Sequence, residues 1–200
     1  QDGRMIFNGA IFKSEYDDKQ ESILIPVNLA NVATVVRNAA SMEMMGFELE
    51  LMYQISQAWD LMVNYGYLEA EYKDYLADLN GDNVITDNSG LIPRNTPENT
   101  FGITTSYTTQ IGDGELKGRL SYRFRDEMNT DSSNNPLGDL DSIENVNATI
   151  SYSLENYSVS VWGRNLTDER EQRWATIGGL TSRGWWNEPA TLGITFSASY

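Results

Sequence analysis

The stretch DLNGDNVITD (78–87) sets Asp78, Asn80 and Asp82 at positions 1, 3 and 5 of a calcium loop, with the Val84 carbonyl at position 7. Calcium takes roughly six to eight oxygen ligands, and a turning chain with this spacing presents several of them to one point. Position 6 is Asn83 rather than glycine, and position 12 is Ser89 rather than a bidentate glutamate. Asn tolerates the left-handed backbone, and Asp87 is the nearest substitute ligand. A solvated turn held by its own Asx side chains explains the same residues without calcium.

A second stretch, DEREQRWATIGGLTSRGWWNEP (168–189), gathers Arg170, Arg173, Trp174, Arg183, Trp185 and Trp186. Indole faces stack on sugars and aromatic ligands, and guanidinium groups pair with carboxylates or phosphates. The group reads as a ligand-contacting loop. At a membrane interface the same residues would instead anchor the chain to acidic headgroups. Arg119, Arg123, Arg125 and Arg164 form a third group, with Glu48 and Glu50 on a comparable polar strand face. These arginines would guide an anionic solute, or be met by carboxylates such as Glu48 and Glu50 or by another part of the protein. Glu48 and Glu50 lie about 7 Å apart along a strand, a separation some hydrolase pairs use. A polar strand face accounts for them, and no enzyme is read.

Composition narrows the field. The 200 residues hold 14 Lys+Arg against 29 Asp+Glu, a net charge of −15. Such a balance argues against a nucleic-acid surface, which needs clustered positive charge. With neither cysteine nor histidine, disulfides, Cys or His zinc sites and Ser-His-Asp catalysis are excluded. No apolar run reaches the roughly 20 residues of a membrane helix, a criterion blind to membrane strands. There is no signal peptide, and the chain opens QDGR without an initiator Met, which reads as a mature form or a fragment.

The elements that must position these residues are strands. In FELELMYQI, Phe47, Leu49, Leu51, Tyr53 and Ile55 alternate with Glu48, Glu50, Met52 and Gln54. In LKGRLSYRFR, Leu116, Gly118, Leu120, Tyr122 and Phe124 alternate with Lys117, Arg119, Ser121, Arg123 and Arg125. The same period of two runs through WDLMVNYGY, FGITTSYTT, VNATISYSL, YSVSVWGRN and the final TLGITFSASY. With residues 5–26 read as one long or bulged strand, the sequence predicts an all-β antiparallel meander of about eight long strands. Short turns follow Ile55, Gln110 and Leu154, whereas 74–97, 127–141 and 167–188 are long and polar. A membrane β-barrel alternates short and long connections in this way and sets aromatics at its interfaces, here Tyr53, Trp59, Tyr107, Tyr157 and Tyr200. A soluble β-sandwich also alternates and stays open as a binding module. So does a complete eight-stranded outer-membrane barrel with a structural or adhesive role.

Several segments resemble one family in its own order. RNAASMEMMGFELEL (37–51), MVNYGYLEAEYKDY (62–75), IPRNTPENTFGITTSY (92–107), VSVWGRNLTDER (159–170) and EPATLGITFSASY (188–200) are similar to successive segments of TonB-dependent outer-membrane receptors. DGRMIFNGAIFKSEYDDKQ (2–20) resembles a turn and strand upstream of them. The resemblance implies that residues 1–200 are the C-terminal part of a barrel of about 22 strands, with the plug domain absent from this sequence. It implies active transport across the outer membrane of a Gram-negative bacterium. The solute would be a siderophore, a glycan fragment or a cobalamin-like molecule. The implied partners are outer-membrane lipid, that small-molecule ligand and the TonB complex, reached through the missing plug region. The barrel-assembly machinery joins them, reading Leu192, Ile194, Phe196, Ala198 and Tyr200 as a terminal signal, although the family more often ends on Phe.

Overall fold

The computed structural model describes residues 3–28, 31–80, 82, 84–170, 172–178 and 181–199, with side chains described except at 23–28, 31, 32, 34, 37, 39, 173–178 and 181–183. Eight long strands carry the fold: β1 (Met5–Asn28), β2 (Asn31–Gln54), β3 (Trp59–Ala77), β5 (Asn99–Ile111), β6 (Gly114–Arg125), β9 (Ile143–Leu154), β10 (Tyr157–Arg164) and β13 (Thr191–Ala198). Between them lie the short strands β4 (Thr86–Asp87), β7 (Met128–Asn129) and β8 (Asp139–Leu140), and the hairpin of β11 (Gln172–Gly178) and β12 (Thr181–Trp186).

The eight long strands form one antiparallel sheet in sequence order, from β1 to β13. Among the described residues β1 and β13 each pair on one side only, so the sheet is open. It is neither a closed eight-stranded barrel nor a two-layer sandwich. Among the described residues no helix is long and apolar enough to cross a membrane, which says nothing about strands.

Register carries the alternation across the sheet. One row runs Glu50, Asn64, Gly102, Arg123, Asn145 on the polar face. Another runs Trp59, Tyr107, Gly118, Ile150, Val161, Ile194 on the apolar face. The apolar rows are open to the surroundings, with Ile150 59%, Ile194 75% and Phe196 65% exposed. Along β3 the apolar face runs from Trp59 to Tyr67, then turns to Glu69, Glu71 and Lys73. Those eight steps measure about 27 Å along the strand, or about 20 Å across a bilayer at the usual barrel tilt. Directly above this band, Glu15, Glu43 and Glu71 stand opposite one another on β1, β2 and β3. Lys13 bridges Glu15 and Glu43 at 2.9 and 2.7 Å, and Lys73 approaches Glu43 at 3.6 Å. Tyr53, Trp59, Tyr107 and Tyr157 lie exposed at the short-turn end; Tyr200 lies outside the described residues.

Three expectations change. The second long strand begins at Asn31 rather than near Phe47, making β1 and β2 a hairpin of 24-residue strands. At about 3.3 Å per residue each strand is about 80 Å long, far more than a membrane needs. The segment read as a loop from 74 contains the last turn of β3 and β4, and the segment 127–141 holds β7 and β8. The 167–188 segment contains the β11–β12 hairpin. Residues 5–28 do form one bulged strand, with irregular register between Tyr16 and Gln20.

The extension beyond the band has its own small core of Ala40, Met42, Tyr72, Tyr75 and Ala77. Glu21 is fully buried beside it. Its carboxylate accepts from the Tyr72 hydroxyl at 2.9 Å, pairs with Lys19, and lies 3.4 Å from Arg94 Nε. Ser132 Oγ donates to the Ser22 carbonyl at 3.1 Å. Two connections, 78–98 and 126–142, are thereby fastened to β1.

Candidate functional site

The segment Gly163–Asp168 shows how sequence builds one wall of the site. A Cβ at Gly163 would come within 2.5 Å of Leu166 and 3.0 Å of Leu192, so glycine leaves room for both leucines. Asn165 is buried with φ +49°. Its backbone amide donates to Asn147 Oδ1 at 2.9 Å. Its side-chain amide donates to the Glu169 and Glu188 carbonyls, both at 3.0 Å, and its Oδ1 accepts from Asn145 at 3.2 Å. Asp168 then accepts from the Ala190 amide at 2.8 Å. These bonds bring the start and end of the 168–189 segment together and feed the chain into β13.

Arg164 points away from the leucines to the polar face. Its guanidinium lies 5.0 Å from the Trp162 ring, and Trp162 Nε1 donates to Thr195 Oγ1 at 3.1 Å. The indole occupies the space a side chain at Gly193 would need, where a Cβ would be 2.2 Å from the ring. A glycine, an indole and a hydroxyl therefore fix one guanidinium.

Arg119, Arg123, Arg125 and Arg164 line a single hollow of about 920 Å³ on the polar face, together with Trp186 and Asn187. Arg125 donates to the Asp126 carbonyl at 2.8 Å and the Asp141 carbonyl at 3.2 Å. Asn145 and Asn147 form the floor across from Arg123 and Ser121. Glu48 and Glu50 lie on the same face in a neighbouring hollow, with Asn64 bordering both. Glu50 accepts from Asn8 at 3.0 Å and stands three strands from Arg123 in its row, about 14 Å by backbone. Among the described residues, no ion pair joins Arg119, Arg123 or Arg164 to a carboxylate.

Of the 168–189 group, Trp186 lines this hollow; Trp185 and Arg170 are exposed outside its lining. The side chains of Arg173, Trp174 and Arg183 lie outside the described residues. Asn145, Asn147, Asn165 and Asn187 were not singled out from sequence. Alternation along VNATISYSL places Asn147 on the face of the arginines, and that was the available signal.

In the 78–87 loop the Asx oxygens meet backbone amides two residues on. Asp78 accepts from Asn80 at 3.3 Å, Asn80 from Asp82 at 3.1 Å, Asp82 from Val84 at 2.7 Å and Asp87 from Ser89 at 3.0 Å. The Ser89 amide holds the Asp87 carboxyl below its ordinary range. Among the described residues no three carboxylates converge as a metal site; Gly81 and Asn83 lie outside them. On β13, Leu192, Ile194, Phe196 and Ala198 share the apolar face of an edge strand.

A family model described as TonB dependent receptor-like, beta-barrel matches residues 1–166. Among solved structures, the ferric yersiniabactin uptake receptor FyuA from Yersinia pestis superposes with a TM-score of 0.81 at 17% identity, over 100% of this chain and 28% of that one. The ferric-catecholate import receptor Fiu from E. coli K12, in its closed form, gives 0.71 at 18%, over 98% and 25%. The siderophore receptor PiuA from Acinetobacter baumannii gives 0.70 at 20%, over 98% and 26%. The chain thus spans about a quarter of the length of each, and at these identities the likeness is one of fold.

Proposed function

This chain belongs to the TonB-dependent receptor β-barrel family, and from that premise we propose that it forms part of an outer-membrane receptor for active uptake of a scarce solute. The solute is a siderophore, a glycan fragment or a cobalamin-like molecule. Residues 1–200 supply barrel wall and outer loops. A plug region elsewhere in the protein contacts the TonB complex, and solute bound at the loops and plug is released when energised TonB rearranges the plug. The apolar rows face outer-membrane lipid, and β13, with Leu192, Ile194, Phe196 and Ala198 on its apolar face, is the segment read by the barrel-assembly machinery. The family match over residues 1–166 is the observation that carries this reading. The open amphipathic sheet, with its apolar band of about 20 Å across a bilayer, supports it.

Deletion of the gene tests the reading. Cells are grown with ferric chelates as sole iron source, oligosaccharides as sole carbon source, or corrinoids as sole cobalamin source. Loss of growth on one solute, restored by the gene and reproduced by loss of TonB, is expected. No solute-specific defect, or a defect independent of TonB, contradicts it.

A further inference from the structure

The hollow on the polar face runs against the charge of the rest of the chain. Acidic residues outnumber basic ones by 29 to 14, yet four arginines line this one hollow. Of the carboxylates facing it, Glu188 is in the lining. Asp60 shares the row of Arg119 two strands away, about 10 Å by backbone. Two of the guanidinium groups are also held in place. Arg164 lies on the Trp162 ring, and Arg125 is fixed by two carbonyls. Gly102, beside Arg123 in its row, keeps the floor low: a Cβ there would be 2.4 Å from the Asn64 amide oxygen.

Resting on the reading of this face as an uptake path, the geometry points to a binding site for a multiply anionic solute, held by Arg119, Arg123, Arg125 and Arg164 beneath Trp186. Guanidinium forks match the paired oxygens of carboxylate, phosphate or sulfate groups and bind them more strongly than neutral donors do. Arg123 and Arg125 project from one face of one strand about 7 Å apart, which suits two anionic groups on one molecule. The amides of Asn145 and Asn147 add neutral donors. Trp186, 62% exposed at the rim, offers a flat face to a ring. Arg125 and Arg164 end β6 and β10 where the long connections begin, so the site opens toward the loops. A volume of about 920 Å³ is that of a small-molecule site. The substrate class is accordingly an anionic chelate or acid rather than a neutral glycan.

The test uses the full-length receptor in detergent, with folding verified by heat-modifiable mobility. Binding of inositol hexakisphosphate, citrate and the neutral tetrasaccharide stachyose is measured by calorimetry at two salt concentrations. The polyanions bind and stachyose does not. The Arg123→Gln/Arg164→Gln double variant weakens polyanion binding about 10-fold or more, since two charge-assisted contacts are lost. Arg123→Lys/Arg164→Lys recovers part of it, and Ser197→Ala leaves it unchanged. Failure of the folded wild type to bind either polyanion overturns the assignment, as it would if an acidic segment of the protein already fills the hollow. Equal binding by the Gln variant, or tighter binding of stachyose, overturns it too. Any of these results in a receptor with intact TonB-dependent uptake leaves the proposed function standing. Loss of outer-membrane location removes both.

Discussion

Asn165 holds more of this structure than its size suggests. It is buried, and its side chain meets Asn145, Glu169 and Glu188 as well as Thr167. Asn165→Ala takes this partner from the Glu188 carbonyl and the Glu169 amide, while the Glu169 carbonyl keeps the Asn187 amide; it loosens the 168–189 segment from β10, costing about 1–3 kcal/mol, and a lower fraction of heat-modifiable receptor in the outer membrane is the readout. Gly46 has a different constraint. A Cβ there would sit 2.2 Å from the Tyr67 carbonyl oxygen and 2.9 Å from the Phe12 ring. Gly46→Ala therefore forces β2 off β3, costing about 1–3 kcal/mol, visible in the same assay. At this scale the sequence singled out Arg164 and Trp186, which line one hollow, but not the asparagines beside them. A charged or aromatic side chain announces itself by type, whereas Asn165 matters through a buried left-handed turn that only the fold reveals.

Among elements, the extension beyond the apolar band depends on one buried carboxylate. Glu21 joins β1 to β3 through Tyr72 and to the 78–98 connection through Arg94. Arg94→Ala removes one partner of a buried charge. The loss is about 1–3 kcal/mol of local stability, less than for a fully buried pair because the Arg94 side chain is 36% exposed. The 78–98 connection then becomes a preferred site of limited proteolysis on intact cells, while barrel mobility on gels is unchanged; unaltered protease resistance would show that Arg94 holds nothing. The upper half of β2 was not legible in sequence for a physical reason. Alternation is imposed where one face meets lipid and the other water. Above the band the stretch Asn31–Ala39, NVATVVRNA, carries no clean period of two, although it is strand. The β11–β12 hairpin had a readable signal in Gly178 and the glycine after it, a turn pair between two short runs. The eight main strands were legible because each carries a stretch alternating apolar and polar residues, the pattern of a sheet with one apolar and one polar face.

For the whole molecule, the open sheet sets the behaviour. Among the described residues β1 and β13 each pair on one side only, and such edges pair with other chains. The 200-residue chain expressed by itself aggregates or misassembles in detergent; recovery as a stable soluble monomer would contradict this. The central claim is that the apolar rows face the bilayer as part of a larger barrel. Fractionating native cells and immunoblotting with an antibody to residues 168–188 tests it most directly. The account predicts a heat-modifiable band in the outer membrane, several times larger than 22.5 kDa. A band in the soluble fraction would contradict it, and one of 22.5 kDa in the outer membrane would remove the transport reading.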